Sequence, residues 1–151
     1  MDVHQLNLRQ ATINDSAFFY ELKKTVLYDY VHAIWGWDEV IQQQFHRDNF
    51  LPEQTQIIEW QNQSIGTIEI AEDTEKIFIS SLYIHPLFQN KKIGTTLINQ
   101  QCIKATALKK KVALEVLHLN TGAQKLYQQL GFMIFPTNDP IKLYMQKYFS
   151  I

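Results

Sequence analysis

The stretch HPLFQNKKIGTTLINQ, residues 85–100, carries a junction between a strand and a helix. The apolar run ISSLYI ends just before it, and IGTTLI opens a helix-like run within it. Between the two lie Pro86, two adjacent lysines (Lys91 and Lys92) and a single Gly94. A helix start presents unpaired backbone N–H groups and a partial positive charge. The segment therefore predicts an electropositive loop at the start of a helix.

Working outward, the patterns predict a β-α-α-β-β-β-α-β-α-β-β order. LNLRQAT alternates like a strand, and the following helical run begins at a capping Asn14 or Asp15. Asp38 is placed to cap a second helix, and Gly131 to stop the last one. Hairpins that feed into strand–helix–strand units predict an α/β fold of the α+β type, with a mixed sheet and helices on both faces.

Length and composition limit the classes of protein to which the chain can belong. The chain has 151 residues, 46% of them hydrophobic, which suits one domain over residues 1–151. No signal peptide or bilayer-length apolar run appears, so we expect a soluble cytoplasmic protein with no membrane partner. The single Cys102 excludes an internal disulfide. The sequence pI of about 6.5 and the lack of a basic-aromatic module argue against a nucleic-acid partner.

The histidines do not form a metal-binding pattern. They are dispersed along the chain, without acidic or cysteine neighbours at ligand spacing, so we expect no metal. They lie at His4, His32, His46, His85 and His118.

Charge is segregated although the net charge is only −1. Residues 28–80 contain ten acidic and two basic side chains, giving −8, and residues 81–151 contain nine basic and two acidic ones, giving +7. The alternative is a pair of solvated faces with no function. The segregation favours an anionic ligand for the second part and a cationic one for the first.

Two patterns suggest a binding site. QNKKIGT offers helix-start amides, a glycine and two lysines, which suit a phosphate or pyrophosphate, although an ordinary surface loop is the alternative. In NTGAQKLYQQLGF, Asn120 and Tyr127 are seven residues apart, so they share a helix face with the small Ala123 between them. The alternative for Tyr127 is a half-buried packing aromatic.

Together these patterns resemble the GNAT superfamily of acetyl-CoA-dependent N-acetyltransferases. Gln89 and Gly94 match the ends of its Gln/Arg-x-x-Gly-x-Gly/Ala signature, while Lys92 replaces the first glycine. The order of Asn120, Ala123, Tyr127 and LGF is similar to its second signature. The resemblance covers essentially the whole chain and implies a GNAT fold, a mostly antiparallel twisted sheet that splays at its central parallel strands.

The resemblance also implies acetyl-CoA as the acyl donor. It implies that the Tyr127 hydroxyl protonates the leaving thiolate and that backbone N–H groups near Leu82 to Ile84 stabilise the oxyanion. The residues it implies for cofactor binding are Leu82, Tyr83, Ile84, Gln89, Asn90, Lys91, Lys92, Ile93, Gly94, Thr95, Asn120, Ala123 and Tyr127.

The general base stays open in the sequence. Glu69 and Glu115 are acidic residues inside apolar strands, where burial would raise the pKa of a carboxylate toward values useful for a base. Either one also fits an outward-facing strand position. We expect Glu69 to act, with Glu115, His118 or water as alternatives.

The acceptor side is expected near the first two helices, as the resemblance implies. Aromatic and acidic side chains there suit a cationic amine. They are Tyr28, Tyr30, Trp35, Trp37 and Glu39, and the alternative for the tryptophans is that they join the two helices.

These features predict direct acetyl transfer, in a ternary complex, to a primary amine of a small molecule or peptide. No nucleophile motif points to a covalent intermediate. The alternatives are a non-catalytic acyl-CoA-binding or sensing domain and a protein N-terminal or lysine acetyltransferase. The acceptor, the acyl chain length and the oligomeric state, a homodimer included, stay open.

Overall fold

The computed structural model describes residue 2 and residues 5–148. Its strands and helices follow the predicted order. They are β1 (Leu6–Gln10), α1 (Ser16–Trp35), α2 (Glu39–Asn49), β2 (Thr55–Trp60), β3 (Gln63–Glu72), β4 (Lys76–Ile84), α3 (Ile93–Leu108), β5 (Lys111–Leu117), α4 (Thr121–Gln129), β6 (Met133–Phe135) and β7 (Lys142–Lys147).

The strands form one seven-stranded mixed sheet in the order β1-β2-β3-β4-β5-β7-β6. The pairs β1–β2, β5–β7 and β6–β7 are antiparallel, whereas β4 and β5 are parallel. Parallel pairing runs only from Lys76↔Lys111 to Ile79↔Leu114, although β4 continues to Ile84 and β5 to Leu117. The predicted mixed sheet with a central parallel pair is confirmed.

The chain divides into two compact units. The first comprises Met1–Ile68 and Leu82–Lys91, and the second comprises Glu69–Ser81 and Lys92–Ile151. Each unit has its own buried apolar residues. They include Phe19, Leu22, Ile57, Ile58 and Ile65 in the first unit and Ile77, Ile79, Leu97, Ile98, Leu114 and Met145 in the second.

The start of α1 has one of the two predicted residues at its cap. Asp15 holds the N-cap position of α1, but its side chain makes no capping hydrogen bond to the helix. The side-chain cap belongs to Thr12, whose hydroxyl accepts from the Asn14 N–H at 3.2 Å. The Asp15 carboxylate reaches back to the Thr12 N–H at 2.8 Å and pairs with Arg9 at 3.0 Å. A short 3₁₀ turn, Ile13–Asp15, therefore precedes the helix. The predicted cap of α2 is confirmed, because Asp38 accepts from the Ile41 N–H at 3.0 Å.

The first unit contains a buried histidine within an aromatic cluster. The His46 ring lies 5.8 Å from Phe19 and 5.2 Å from Phe50, centroid to centroid. Its Nε2 is 2.7 Å from the Ser16 hydroxyl, and its buried Nδ1 has no hydrogen-bond partner among the described residues. Burial, reinforced by the positive charge of Lys23, lowers the pKa of His46 below its ordinary 6.5.

This lowered pKa predicts a pH dependence of stability. Above 6.5 His46 is neutral in both states, but as pH falls below that ordinary value the unfolded chain takes up a proton that the folded chain resists. The free energy of unfolding should therefore decrease from pH 6.5 down to the lower folded pKa. Denaturant titrations at several pH values should show this contribution in the wild type and not in His46→Phe. A difference between the two proteins that is constant with pH would contradict it, and His118→Gln controls for loss of an exposed histidine.

Candidate functional site

In the first unit, the loop after β4 is held against the end of the strand it leaves. The His85 N–H donates to the Ile65 carbonyl at 2.9 Å, and the Gln89 side chain donates to the Ile84 carbonyl at 2.8 Å. Asn90 adopts a left-handed backbone with φ of 61°. Gln89, which opens the first signature, thus fixes the loop through its side chain.

In the second unit, α3 begins with uncapped amides. Lys92 precedes the helix and its side chain makes no capping hydrogen bond. The first helical bond is donated by the Thr96 N–H to the Lys92 carbonyl at 3.0 Å, so the N–H groups of Ile93, Gly94 and Thr95 lie before the helical ladder. Such a helix start binds anions, phosphate in particular, because its unpaired donors coincide with the positive end of the helix dipole.

Lys92 adopts a left-handed backbone conformation. Its φ of 65° and ψ of 17° lie in the left-handed region, where glycine is favoured. A residue with a Cβ adopts this conformation at a cost on the order of 1–2 kcal/mol. The replacement of the signature glycine therefore leaves a left-handed turn in place and adds an exposed cation beside Lys91.

The second signature forms the start of α4. The Asn120 Oδ1 accepts from the Ala123 N–H at 3.1 Å, so Asn120 caps α4. The Gln124 side chain adds hydrogen bonds to the carbonyls of Leu117 and His118, each at 2.9 Å. The cap uses only the Oδ1 of Asn120. The Nδ2 of the same side chain donates no hydrogen bond to the described part of the chain.

Tyr127 lies two turns further along α4, half-buried, with its ring 6.2 Å from that of Phe132. No described residue forms a hydrogen bond with its hydroxyl. Burial raises the pKa of Tyr127 above its ordinary 10.0, which keeps the phenol protonated at neutral pH. A protonated hydroxyl without a protein partner is suited to donate to a ligand.

The candidate bases have different surroundings. The half-buried Glu69 accepts a hydrogen bond from the Ser81 hydroxyl at 2.6 Å, a contact that the sequence analysis missed. Glu115 lies 3.6 Å from the Lys142 ammonium, and its side chain is 34% exposed. His118 is exposed and follows β5.

In the first unit, Glu39 is the centre of a cluster that joins α1 to α2. Its carboxylate accepts from the Tyr20 hydroxyl, the Lys24 ammonium and the Trp37 indole, each at 2.8 Å. These donors, Lys24 first, lower the pKa of Glu39 to about 2. Glu39 therefore joins α1 to α2, and Trp37 supports this contact, as the alternative predicts for Trp37. The acceptor role of both residues stays a prediction.

The other predicted acceptor-side residues are aromatic. Tyr28 stacks on His32 at 5.8 Å and contacts Trp37 at 5.3 Å, centroid to centroid. Trp35, at 63% exposure, lies at the end of α1, and Tyr30 is half-buried.

Within residue 2 and residues 5–148, no three His, Cys, Asp or Glu side chains are placed to hold a metal ion. His4 lies outside the described residues. Over the same residues, no helix has the length and apolar character that crossing a membrane requires.

The fold is similar to those of several solved acetyltransferases. One is the PaiA N-acetyltransferase from Thermoplasma acidophilum in complex with coenzyme A, with 20% identity, 95% of this chain and 99% of that chain covered, and a TM-score of 0.72. Another is Arabidopsis thaliana Naa50 in complex with the bisubstrate analogue CoA-Ac-MVNAL, with 14% identity, coverages of 96% and 99%, and a TM-score of 0.68. A third is the ribosomal-protein-S18-alanine N-acetyltransferase from Escherichia coli, with 15% identity, coverages of 97% and 95%, and a TM-score of 0.67.

At these identities the structural likeness shows the fold alone. No curated protein matches the chain. The model of the Acetyltransferase (GNAT) family matches residues 16–132, a span that includes both signatures and the whole of β4, α3, β5 and α4. The chain belongs to the GNAT acetyltransferase family.

Proposed function

We propose that the chain is an acetyl-CoA-dependent N-acetyltransferase that acts on a primary amine of a small molecule or peptide, by direct transfer in a ternary complex. The observation that carries the proposal is that the second unit contains both an uncapped helix start at Lys92–Thr95 and a hydroxyl donor, Tyr127, on α4. The first suits phosphate, and the second suits proton donation to a leaving group.

The cofactor residues fit coenzyme A chemically. The first-turn amides of α3, with the exposed Lys91 and Lys92, suit its phosphates. The Nδ2 of Asn120, which has no partner among the described residues, suits an amide carbonyl of its pantetheine arm. Acetyl-CoA, when bound, supplies a thioester carbonyl that an amine can attack.

Each step of the transfer has a residue assigned to it. Glu69 accepts the proton of the amine as the carbon–nitrogen bond forms. Backbone N–H groups among Leu82, Tyr83 and Ile84 donate to the carbonyl oxygen as it gains negative charge. Tyr127 donates its proton to the sulfur as the carbon–sulfur bond breaks, so the products are an amide and a free thiol.

The charge pattern favours a cationic acceptor. The negative field of residues 28–80 is weaker than their net charge suggests. Three carboxylates of the acidic segment, those of Glu39, Glu59 and Glu72, pair with cations from outside it. The remaining carboxylates still outnumber the cations of residues 28–80. A positively charged amine is therefore favoured, with an effect that salt weakens.

Thiol release from acetyl-CoA across polyamines, aminoglycosides, amino acids and peptides tests the proposal. We expect release with cationic amines, with an apparent KM for the amine that rises with ionic strength. Lys91→Glu together with Lys92→Glu should raise the KM for acetyl-CoA. A best acceptor that is acidic and indifferent to salt would contradict the charge argument.

A non-catalytic acyl-CoA-binding domain is the second candidate, because Lys92 stands where the signature has glycine. Acetyl-CoA would then raise the melting temperature by binding the folded state, without thiol release with any amine. A protein N-terminal or lysine acetyltransferase would instead release thiol with peptides and not with small amines.

A further inference from the structure

A hydrogen bond between neighbouring strands fixes the orientation of one candidate base. The Ser81 hydroxyl on β4 donates to the Glu69 Oε1 on β3 at 2.6 Å, a length typical of a bond to a charged acceptor. Ser81 is 9% exposed, so its hydroxyl is held within the fold rather than in solvent. The bond therefore joins a half-buried carboxylate to a fixed donor.

The bond leaves half of the carboxylate open. Ser81 occupies Oε1, and Oε2 has no hydrogen-bond partner within residue 2 and residues 5–148. The carboxylate of Glu115 instead already has a cationic partner, the ammonium of Lys142 at 3.6 Å. Of the two candidate carboxylates, Glu69 is the one that a short hydrogen bond orients, whereas the described contact of Glu115 is an ion pair at 3.6 Å.

The position of Ser81 in the sequence adds to this. Ser81 directly precedes Leu82, the first of the three residues assigned to oxyanion stabilisation. A base and an oxyanion donor act on the same reaction, so each must be held in a fixed position relative to the reacting carbon. A side chain that bonds the base while its backbone continues into the donor segment is suited to that task.

We propose that Ser81 is a positioning residue for Glu69, directing Oε2 toward the acceptor amine. This inference rests on the proposed function, because it assigns Ser81 a role in the same transfer. Without the hydroxyl, the Glu69 side chain regains rotamers that its hydrogen bond excludes. The base is then present but misplaced in part of the molecules.

The test compares the wild type with four variants. Thiol release is measured with acetyl-CoA and spermidine, or with the amine of the panel that reacts fastest. We expect Ser81→Ala to lower kcat by about 10–100-fold, because a small misplacement of a catalytic group costs about that much, with KM for acetyl-CoA nearly unchanged. Ser81→Thr keeps a hydroxyl and should restore most of the rate. Glu69→Gln should lower kcat at least as much, and adding Ser81→Ala to it should lower kcat no further.

Melting temperatures with and without acetyl-CoA show whether each variant folds and binds. Additive losses in the double variant would overturn the inference, because Ser81 would then act independently of Glu69. A wild-type rate in Glu69→Gln would also overturn it, while the proposed function would stand if Tyr127→Phe is still impaired. Absence of thiol release in the wild type with every amine would overturn both.

Discussion

Tyr127→Phe should lower the turnover rate by about 10²–10⁴-fold, the contribution typical of a lost general acid. The substitution keeps the ring that lies 6.2 Å from Phe132 and removes only the hydroxyl. Since no described residue forms a hydrogen bond with that hydroxyl, the melting temperature and the affinity for acetyl-CoA should change little. A loss confined to kcat would identify an interaction that matters mainly in the transition state.

The control for this prediction is Tyr144→Phe. Tyr144 is a half-buried tyrosine of β7 whose hydroxyl makes one long hydrogen bond, 3.4 Å, to Gln146. It has no assigned role, so its removal should leave turnover near the wild-type rate. An unchanged turnover in Tyr127→Phe, measured where chemistry limits the rate, would remove Tyr127 from the acid role. Replacement of the phenol by water would instead give a loss below the stated range.

The order of strands and helices could be predicted because local patterns determine it. Alternating apolar residues mark β1, and turn residues mark the connections from β2 to β3 and from β3 to β4: Gln61 and Asn62 adopt positive φ, while Asp73 accepts from the N–H groups of Glu75 and Lys76. The prediction placed the cap of α1 at Asn14 or Asp15, and Asp15 is at that position, but it did not include the turn that Thr12 caps. Only the backbone shows that Thr12 begins a 3₁₀ turn.

Contacts between distant residues could not be predicted in this way. Tyr20 and Lys24 meet Glu39 because α1 and α2 pack together, and their spacing along the chain is 19 and 15 residues. The bond between Ser81 and Glu69 depends on the register of two strands, which a period of two does not specify. The hydrogen bonds of Glu39 to α1 and the bond between Ser81 and Glu69 were therefore not predicted, and the acceptor role of Glu39 stays a prediction.

Gly66 is another residue whose importance only the structure shows. A Cβ at this position of β3 would lie 2.5 Å from the Tyr83 carbonyl oxygen, 3.1 Å from the Ile58 Cδ1 and 3.3 Å from the Ile84 Cα, all in the first unit. Two of these three atoms belong to the backbone of β4, which cannot rotate away as a side chain can. Gly66 therefore permits the close approach of β3 to the end of β4.

Gly66→Ala should accordingly destabilise the fold by about 1–3 kcal/mol, the usual cost of overpacking a core, and lower turnover as well. The backbone that the new methyl group displaces is that of Tyr83 and Ile84, which the proposed mechanism uses to stabilise the oxyanion. Chemical denaturation measures the first effect, and thiol release measured well below the melting temperature measures the second.

Gly122→Ala is the matched control, because a Cβ there would approach no atom closer than 4.0 Å, the Asn120 Oδ1. In the first turn of α4, alanine should raise the stability by about 0.4–1 kcal/mol through helix propensity and a less flexible unfolded chain. The two glycine substitutions thus have opposite expected signs. If Gly66→Ala were as stable as the wild type, β4 would have room to move, and its end would not be held where the proposed mechanism needs it. If stability fell but turnover of the folded enzyme did not, the backbone of Tyr83 and Ile84 would not be the group that stabilises the oxyanion.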